Sequence, residues 1–154
     1  MGAGVWAVVP AAGRGTRFGS ELPKQYLTVH GRPLLAWTLQ ALFAHDAVEG
    51  VVVPLSENDP DWPRWTDYEG RPLIACTGGA TRAASVLAGL QALPASVRAD
   101  DFVLVHDADR PNLGREDLAQ LLDRGRNDPV VTVSYTPLPA HETSRTIVSR
   151  VLPQ

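Results

Sequence analysis

Short apolar runs rich in β-branched residues alternate along this chain with stretches whose leucines recur at helical spacing, and few folds accept that alternation. Val5 to Val9, Val51 to Val53, Leu73 to Cys76, Phe102 to Val105 and Val130 to Val133 are brief and apolar at successive positions. Strands buried on both faces of a parallel sheet read this way. Between them Leu35, Leu39 and Leu42 share one helix face, as do Ala83, Val86, Leu87, Leu90 and Leu93, and later Leu118, Leu121 and Leu122. Gly125 stands where the last of these helices is expected to stop. Strand alternating with helix implies right-handed crossovers and a three-layer α/β sandwich. The 154 residues suit one domain, and no internal repeat divides them.

Charge and cysteine usage remove several function classes. Fourteen basic residues against 17 acidic give a net charge of −3, which argues against a sequence-independent nucleic-acid surface. Cys76 is the single cysteine, so no disulfide framework or multi-cysteine zinc site is expected. No segment approaches the roughly 18 apolar residues of a membrane span. Val5 to Val9 has no basic residue before it and is stopped by Pro10, unlike a signal peptide. With one free thiol, the cytoplasm is the expected location.

Two stretches lack periodicity. From Ser56 to Arg71 the chain carries Pro60, Trp62, Pro63, Trp65, Tyr68 and several acids, and reads as a surface loop pinned by its aromatics. The 26 residues from Pro129 hold Pro137, Pro139 and Pro153 and no helical face beyond one strand. They do not look like the end of a domain that has finished its sheet.

Three motifs carry chemistry. The first strand runs into Pro10-Ala-Ala-Gly-Arg-Gly-Thr-Arg-Phe-Gly19, with Pro23-Lys24-Gln25 following. Small residues at Ala11, Ala12, Gly13 and Gly15 let backbone N–H groups approach a ligand, as in phosphate-cradling loops at strand ends. The dinucleotide fingerprint fails because Phe18 occupies its third glycine position, and no Gly-Lys-Ser/Thr makes a P-loop. The loop does bring two cations, Arg17 and Lys24, of the kind that stabilise charge building on a phosphate under attack. Of the 14 basic residues, 13 are arginine and Lys24 is the one lysine.

The second motif, Thr77-Gly-Gly-Ala-Thr-Arg82-Ala-Ala-Ser85, follows a strand and opens a helix that Thr81 can cap. Arg82 and Ser85, three apart, share a face of its first turn, which can meet an anion or a base edge. The third, His106-Asp107-Ala-Asp109-Arg110-Pro111, follows the apolar strand Phe102 to Val105. Asp107 at that strand end suits either a Mg²⁺ ligand or a turn-capping carboxylate. His106 reads as a packed strand-end histidine. Cys76, His30, His45 and His141 have no partners at telling spacing.

Together, Pro-Ala-Ala-Gly-x-Gly-x-Arg…Pro-Lys-Gln-Tyr, Gly-Gly-x-x-Arg-x-x-Ser-Val-x-x-Gly-Leu and Val-His-Asp-Ala-x-Arg-Pro resemble the 2-C-methyl-D-erythritol 4-phosphate cytidylyltransferase family of the non-mevalonate isoprenoid pathway. The resemblance runs in order from about Val5 to Asp128. The resemblance implies a Rossmann-like nucleotide-diphospho-sugar transferase fold that binds CTP with Mg²⁺. In such an enzyme an oxygen of methylerythritol phosphate attacks the α-phosphate of CTP and expels pyrophosphate, with no side-chain nucleophile. By the same resemblance Arg17 and Lys24 stabilise the transition state, and Ala11, Ala12 and Gly13 meet the nucleotide through backbone. Gly79 and Ser85 help recognise cytosine, Arg82 supports their loop, and Asp107 holds Mg²⁺. It further implies small-molecule substrates, no nucleic acid or membrane partner, and a homodimer for full-length members.

This chain departs from the family pattern twice. Asp109 stands where the family commonly has a second alanine, and a second carboxylate there could join the metal or repel the triphosphate. Beyond Asp128 nothing matches the family's acceptor-binding elements, dimerisation arm or late lysine. The expected organisation is therefore a nucleotide-binding part over 1–128 and a divergent or incomplete segment over 129–154. A ribitol 5-phosphate cytidylyltransferase and a CTP-binding fragment without turnover remain alternatives, while Phe18 argues against an NAD(P)-binding domain.

Overall fold

The computed structural model describes residues 4–13, 22–98, 101–127 and 147–150. Strand β1 (Val5–Val8) is buried along its whole length and pairs in parallel with β4 (Val48–Leu55) on one side and β7 (Phe102–Val105) on the other. Strand β6 (Arg71–Thr77) runs parallel to β4. Antiparallel strands lie at both edges, β5 (Asp67–Tyr68) beside β6 and β8 (Ile147–Arg150) beside β7. Among the described residues the order is β5-β6-β4-β1-β7-β8. Four of the five expected runs thus fall in the sheet, and Val130 to Val133 lies outside the described residues.

Side-chain alternation along these strands builds two cores. Val5, Ala7, Val9, Val51, Val53 and Leu104 face one side, where they meet Leu35, Leu39 and Leu42 of α1 (Leu34–Phe43) and Leu118, Leu121 and Leu122 of α3 (Arg115–Asn127). Trp6, Val8, Val52, Val103 and Val105 face the other, against Val86 and Leu90 of α2 (Arg82–Gln91). The result is the expected three-layer α/β sandwich with a mainly parallel sheet. From β1 the chain moves outward to β4 and β6, then returns across the sheet to β7, with α2 on the face opposite α1. The direction of winding therefore reverses between β1 and β7, and doubly wound sheets bind ligands at such a point, outside the carboxyl ends of the strands.

Two details correct the expected outline. Helix α3 does not stop at Gly125 but continues to Asn127. Gly125 is buried and stands seven residues after Leu118, on the stripe shared with Leu121 and Leu122, so it belongs to the core-facing side of the helix. Within the segment from Pro129, where one strand at Val130 to Val133 is expected, Ile147–Arg150 forms β8 of the sheet. No helix among the described residues is long and apolar enough to cross a membrane.

The Ser56 to Arg71 stretch is pinned by its aromatics, as expected. Tyr68 stacks on Phe43 with ring centroids 4.8 Å apart, and Trp62 meets Trp65 edge-on at 5.4 Å. The Tyr26 hydroxyl donates to Asp59 at 2.7 Å. Arg71 lies over the Phe43 ring and donates to the carbonyls of Phe43, His45 and Val48, tying β6 to the exposed carbonyl end of α1. The same stretch also contains β5, and a second short hairpin pairs β2 (Thr28–Val29) with β3 (Arg32–Pro33).

Helix α2 approaches the sheet closely at Gly89, where an added Cβ would stand 2.5 Å from Val8 and 3.0 Å from Pro54. A glycine inside an exposed helix costs about 1 kcal/mol relative to alanine, so Gly89→Ala would stabilise an open site. Here the overlap decides the sign. We expect Gly89→Ala to destabilise the chain by about 1–3 kcal/mol, and a higher urea midpoint for the variant would contradict this packing.

Candidate functional site

The carboxyl ends of β1, β6 and β7 open onto a cavity of about 310 Å³. One wall is Pro10, Ala11, Ala12 and Gly13 with Lys24 and Gln25, the second is Gly79 to Arg82 with Ser85, and the third is Asp107, Ala108 and Asp109. The three sequence motifs, separated by some fifty and then about twenty residues, thus meet in one place. Gly15 and Arg17, also expected there, lie outside the described residues.

The loop after β1 is held by its carbonyl groups. Gln25, 6 % exposed, donates from Nε2 to the carbonyls of Ala11 at 2.9 Å and Gly13 at 3.1 Å. Ser56 Oγ donates to the Ala12 carbonyl at 2.5 Å, and the Ala11 N–H donates to Pro54 at 2.8 Å. A trans peptide points its N–H opposite to its carbonyl, so anchoring the carbonyls of Ala11 and Ala12 fixes the directions of the Ala12 and Gly13 N–H groups. Neither Gln25 nor Ser56 was singled out in the sequence. Gln25 sits in the Pro-Lys-Gln element and had a local signal, whereas Ser56 had none.

On the second wall Thr81 caps α2 as expected, accepting the Ala84 N–H at 3.0 Å. Ser85 is 2 % exposed. Its hydroxyl accepts the Gly79 N–H at 3.1 Å and faces the Gly79 carbonyl at 3.3 Å, closing the turn before the helix on itself. Arg82 reaches across the cavity, and its Nε and Nη2 donate to Asp107 Oδ1 at 3.1 and 3.0 Å. Lys24 Nζ lies 3.1 Å from Asp109 Oδ2. Each carboxylate of the third wall therefore faces a cation from another wall. Among the described residues, no three His, Cys, Asp or Glu side chains gather as a metal cage.

The third wall is anchored from beneath. The buried Thr38 hydroxyl of α1 lies 2.8 Å from the Ala108 carbonyl, and the His106 N–H donates to Val8 at 3.0 Å. His106 is 2 % exposed, with Nε2 2.6 Å from the Arg110 carbonyl. Since a carbonyl only accepts, Nε2 carries the proton. Burial pushes this imidazole below its ordinary range, against the opposing pull of the Arg110 carbonyl and the nearby Asp107 and Asp109 carboxylates. His106 is thus the packed strand-end residue expected. Burial also pushes the Cys76 thiol up, away from the thiolate a nucleophile would need.

A model of the family described as 2-C-methyl-D-erythritol 4-phosphate cytidylyltransferase matches residues 5–143. The chain belongs to this family. The match runs past residue 128, where the resemblance read from the sequence ends. A cytidylyltransferase of this description from Stenotrophomonas maltophilia is 62 % identical over 138 residues, covering 90 % of this chain and 60 % of the relative. One from Xanthomonas campestris pv. campestris is 62 % identical over 138 residues, covering 90 % of this chain and 52 % of its own length. The chain thus spans between about half and three-fifths of these relatives. Among solved structures, the cytidylyltransferase from Thermus thermophilus is 31 % identical with a TM-score of 0.57, over 94 % of this chain and 63 % of that one. A 4-diphosphocytidyl-2C-methyl-D-erythritol synthase from Anaerococcus prevotii has a TM-score of 0.71 over 98 % of this chain and 73 % of that one. At 21 % identity it speaks for the fold alone, and it agrees with the expected nucleotidyltransferase architecture.

Two outcomes follow for the groups beneath the cavity. Gln25→Leu keeps bulk but removes the donor from two carbonyls, and should lower stability by about 1–3 kcal/mol. An unchanged urea midpoint would show that these bonds do not hold the loop. For His106, the unfolded chain takes up a proton near the ordinary imidazole value of about 6.5, while the folded value is lower. Its stabilising contribution is complete above that pH and is lost as pH falls toward the folded value. His106→Gln should therefore show a smaller drop in urea midpoint than the parent between about pH 7.5 and about pH 5.

Proposed function

We propose that this chain transfers CMP from CTP to 2-C-methyl-D-erythritol 4-phosphate with release of pyrophosphate, in the making of isoprenoid precursors. The observation that carries the reading is the convergence of all three family motifs on one cavity at the winding reversal of the sheet, in a chain matched by the family model over residues 5–143. In this reading the N–H groups of Ala12 and Gly13, with Ala11 and Gly15 in the same loop, approach the phosphates. Their fixed directions suit an anion without reorganisation. Gly79 and Ser85 receive the cytosine, and Arg82 supports their loop through Asp107. Lys24, joined by Arg17, meets the negative charge that grows on the phosphate oxygens as the bond to pyrophosphate breaks.

The donor set also suits a divalent cation. Mg²⁺ is commonly held by one or two carboxylates plus substrate phosphates rather than by a protein cage. Asp107 would hold it, and Asp109 is a second carboxylate on the same wall. When bound, such an ion neutralises phosphate charge. Cys76, a free thiol, suits a reducing compartment, and we place the chain in the cytoplasm on that ground.

Calorimetric titration with CTP and Mg²⁺, followed by a pyrophosphate-release assay, tests the reading. Binding together with release that depends on methylerythritol phosphate is expected. Binding without release would leave a nucleotide-binding module, and release with ribitol 5-phosphate instead would move the acceptor to the ribitol class. Absence of CTP binding would reject every version. Lys24→Ala should slow release by about 10²-fold or more while leaving CTP affinity within about a factor of ten. An equal loss in affinity would make Lys24 a ground-state ligand only.

A further inference from the structure

Lys24 and Asp109 reach the cavity from distant parts of the chain, the short 3-10 turn Lys24–Tyr26 and the loop after β7. Their charged atoms are 3.1 Å apart, with 37 % and 26 % of the side chains exposed. Both backbones are anchored next door: Gln25 holds the Ala11 and Gly13 carbonyls, and Thr38 holds that of Ala108. The pair is thus set by its surroundings rather than by the chance meeting of two free side chains. Arg82 and Asp107 form a separate pair across the same cavity, so Asp109 is not needed to neutralise Arg82.

An incoming polyphosphate must share the Lys24 ammonium with Asp109 or take it over. The ammonium has three N–H donors, and what it loses toward Asp109 is subtracted from the affinity of the bound ground state. That subtraction has a catalytic consequence. A contact equally strong in substrate and transition state lowers KM without raising kcat. A carboxylate displaced when the triphosphate binds takes the same cost from both states, so it raises KM and leaves kcat unchanged.

We propose that Asp109 is a positioning residue that holds the Lys24 ammonium at the cavity and is displaced from it by the triphosphate, thereby setting the affinity for CTP. This rests on the CTP reading above. It gives Asp109 a third role beside the two left open in the sequence, joining the metal or repelling the triphosphate: here the carboxylate acts on the triphosphate through Lys24.

Titration calorimetry of the full chain with CTP in EDTA tests the coupling. Asp109→Asn should bind CTP about two- to fivefold more tightly, the range that breaking a half-exposed ion pair allows. Asp109→Ala should do the same, so a folding defect in one variant does not decide the matter. The gain should vanish in a Lys24→Met background, and in turnover the KM for CTP should fall without a rise in kcat. Unchanged or weaker binding in both Asp109 variants overturns the proposal, as does an equal gain with and without Lys24. If the parent chain binds no CTP in either EDTA or Mg²⁺, the nucleotide reading itself fails and the proposal with it. If it binds CTP and the Asp109 variants do not differ from it, only the proposal fails.

Discussion

Parallel pairing of β1 with β4 on one side and β7 on the other determines where every group in the cavity stands. Parallel strands deliver their carboxyl ends to one edge of the sheet, so the loops after β1, β6 and β7 emerge together although they are far apart in sequence. Because β1 is buried on both faces, it cannot shift in register without exposing one core or the other. The Ala11 N–H extends the pairing one step past the strand, to Pro54. Gln25 and Ser56 then hold the next carbonyls. The loop is an extension of the sheet rather than a segment added to it.

The electrostatics of the cavity are balanced in a particular way. Among the described residues, four charged side chains line it, two of each sign, and they pair across walls rather than within them. Half-exposed pairs of this kind contribute only about 0.2–1 kcal/mol each, far less than the packing beneath them. Their value in the proposed reaction lies in being replaceable. A lysine suits that use better than an arginine, since a compact ammonium divides its donors among partners, while a guanidinium commits a planar fork to one. The chain places its one lysine here, among thirteen arginines.

Much of this was legible in the sequence because it rests on periodicity. The buried strands declare themselves as continuous apolar runs and the three described helices as leucines recurring over several turns, and the Thr81 cap follows from its place before α2. The short hairpins did not declare themselves. Their turns pass through His30-Gly31 and Glu69-Gly70, both residues of each pair having positive φ, whereas the familiar signal for such turns is Asn or Asp before glycine. Strands of two residues have no period to read. Gly125 misled because spacing does not separate a glycine that ends a helix from one that faces its core. The cross-wall contacts of the site, Lys24 with Asp109 and Arg82 with Asp107, join residues far apart in the chain, and nothing local in the sequence announces them.

The close seat of α2 at Gly89 bears on the cavity as well as on the core. Arg82 lies seven residues toward the amino end of the same helix, about 10 Å along its axis at ~1.5 Å per residue. The helix is therefore a lever whose fulcrum is the contact of Gly89 with Val8 and Pro54. A tilt of about 10° at that fulcrum would carry the first turn roughly 2 Å sideways over this length, enough to part Arg82 from Asp107. A buried glycine with no chemistry of its own thus sets the width of the gap between two walls of the cavity.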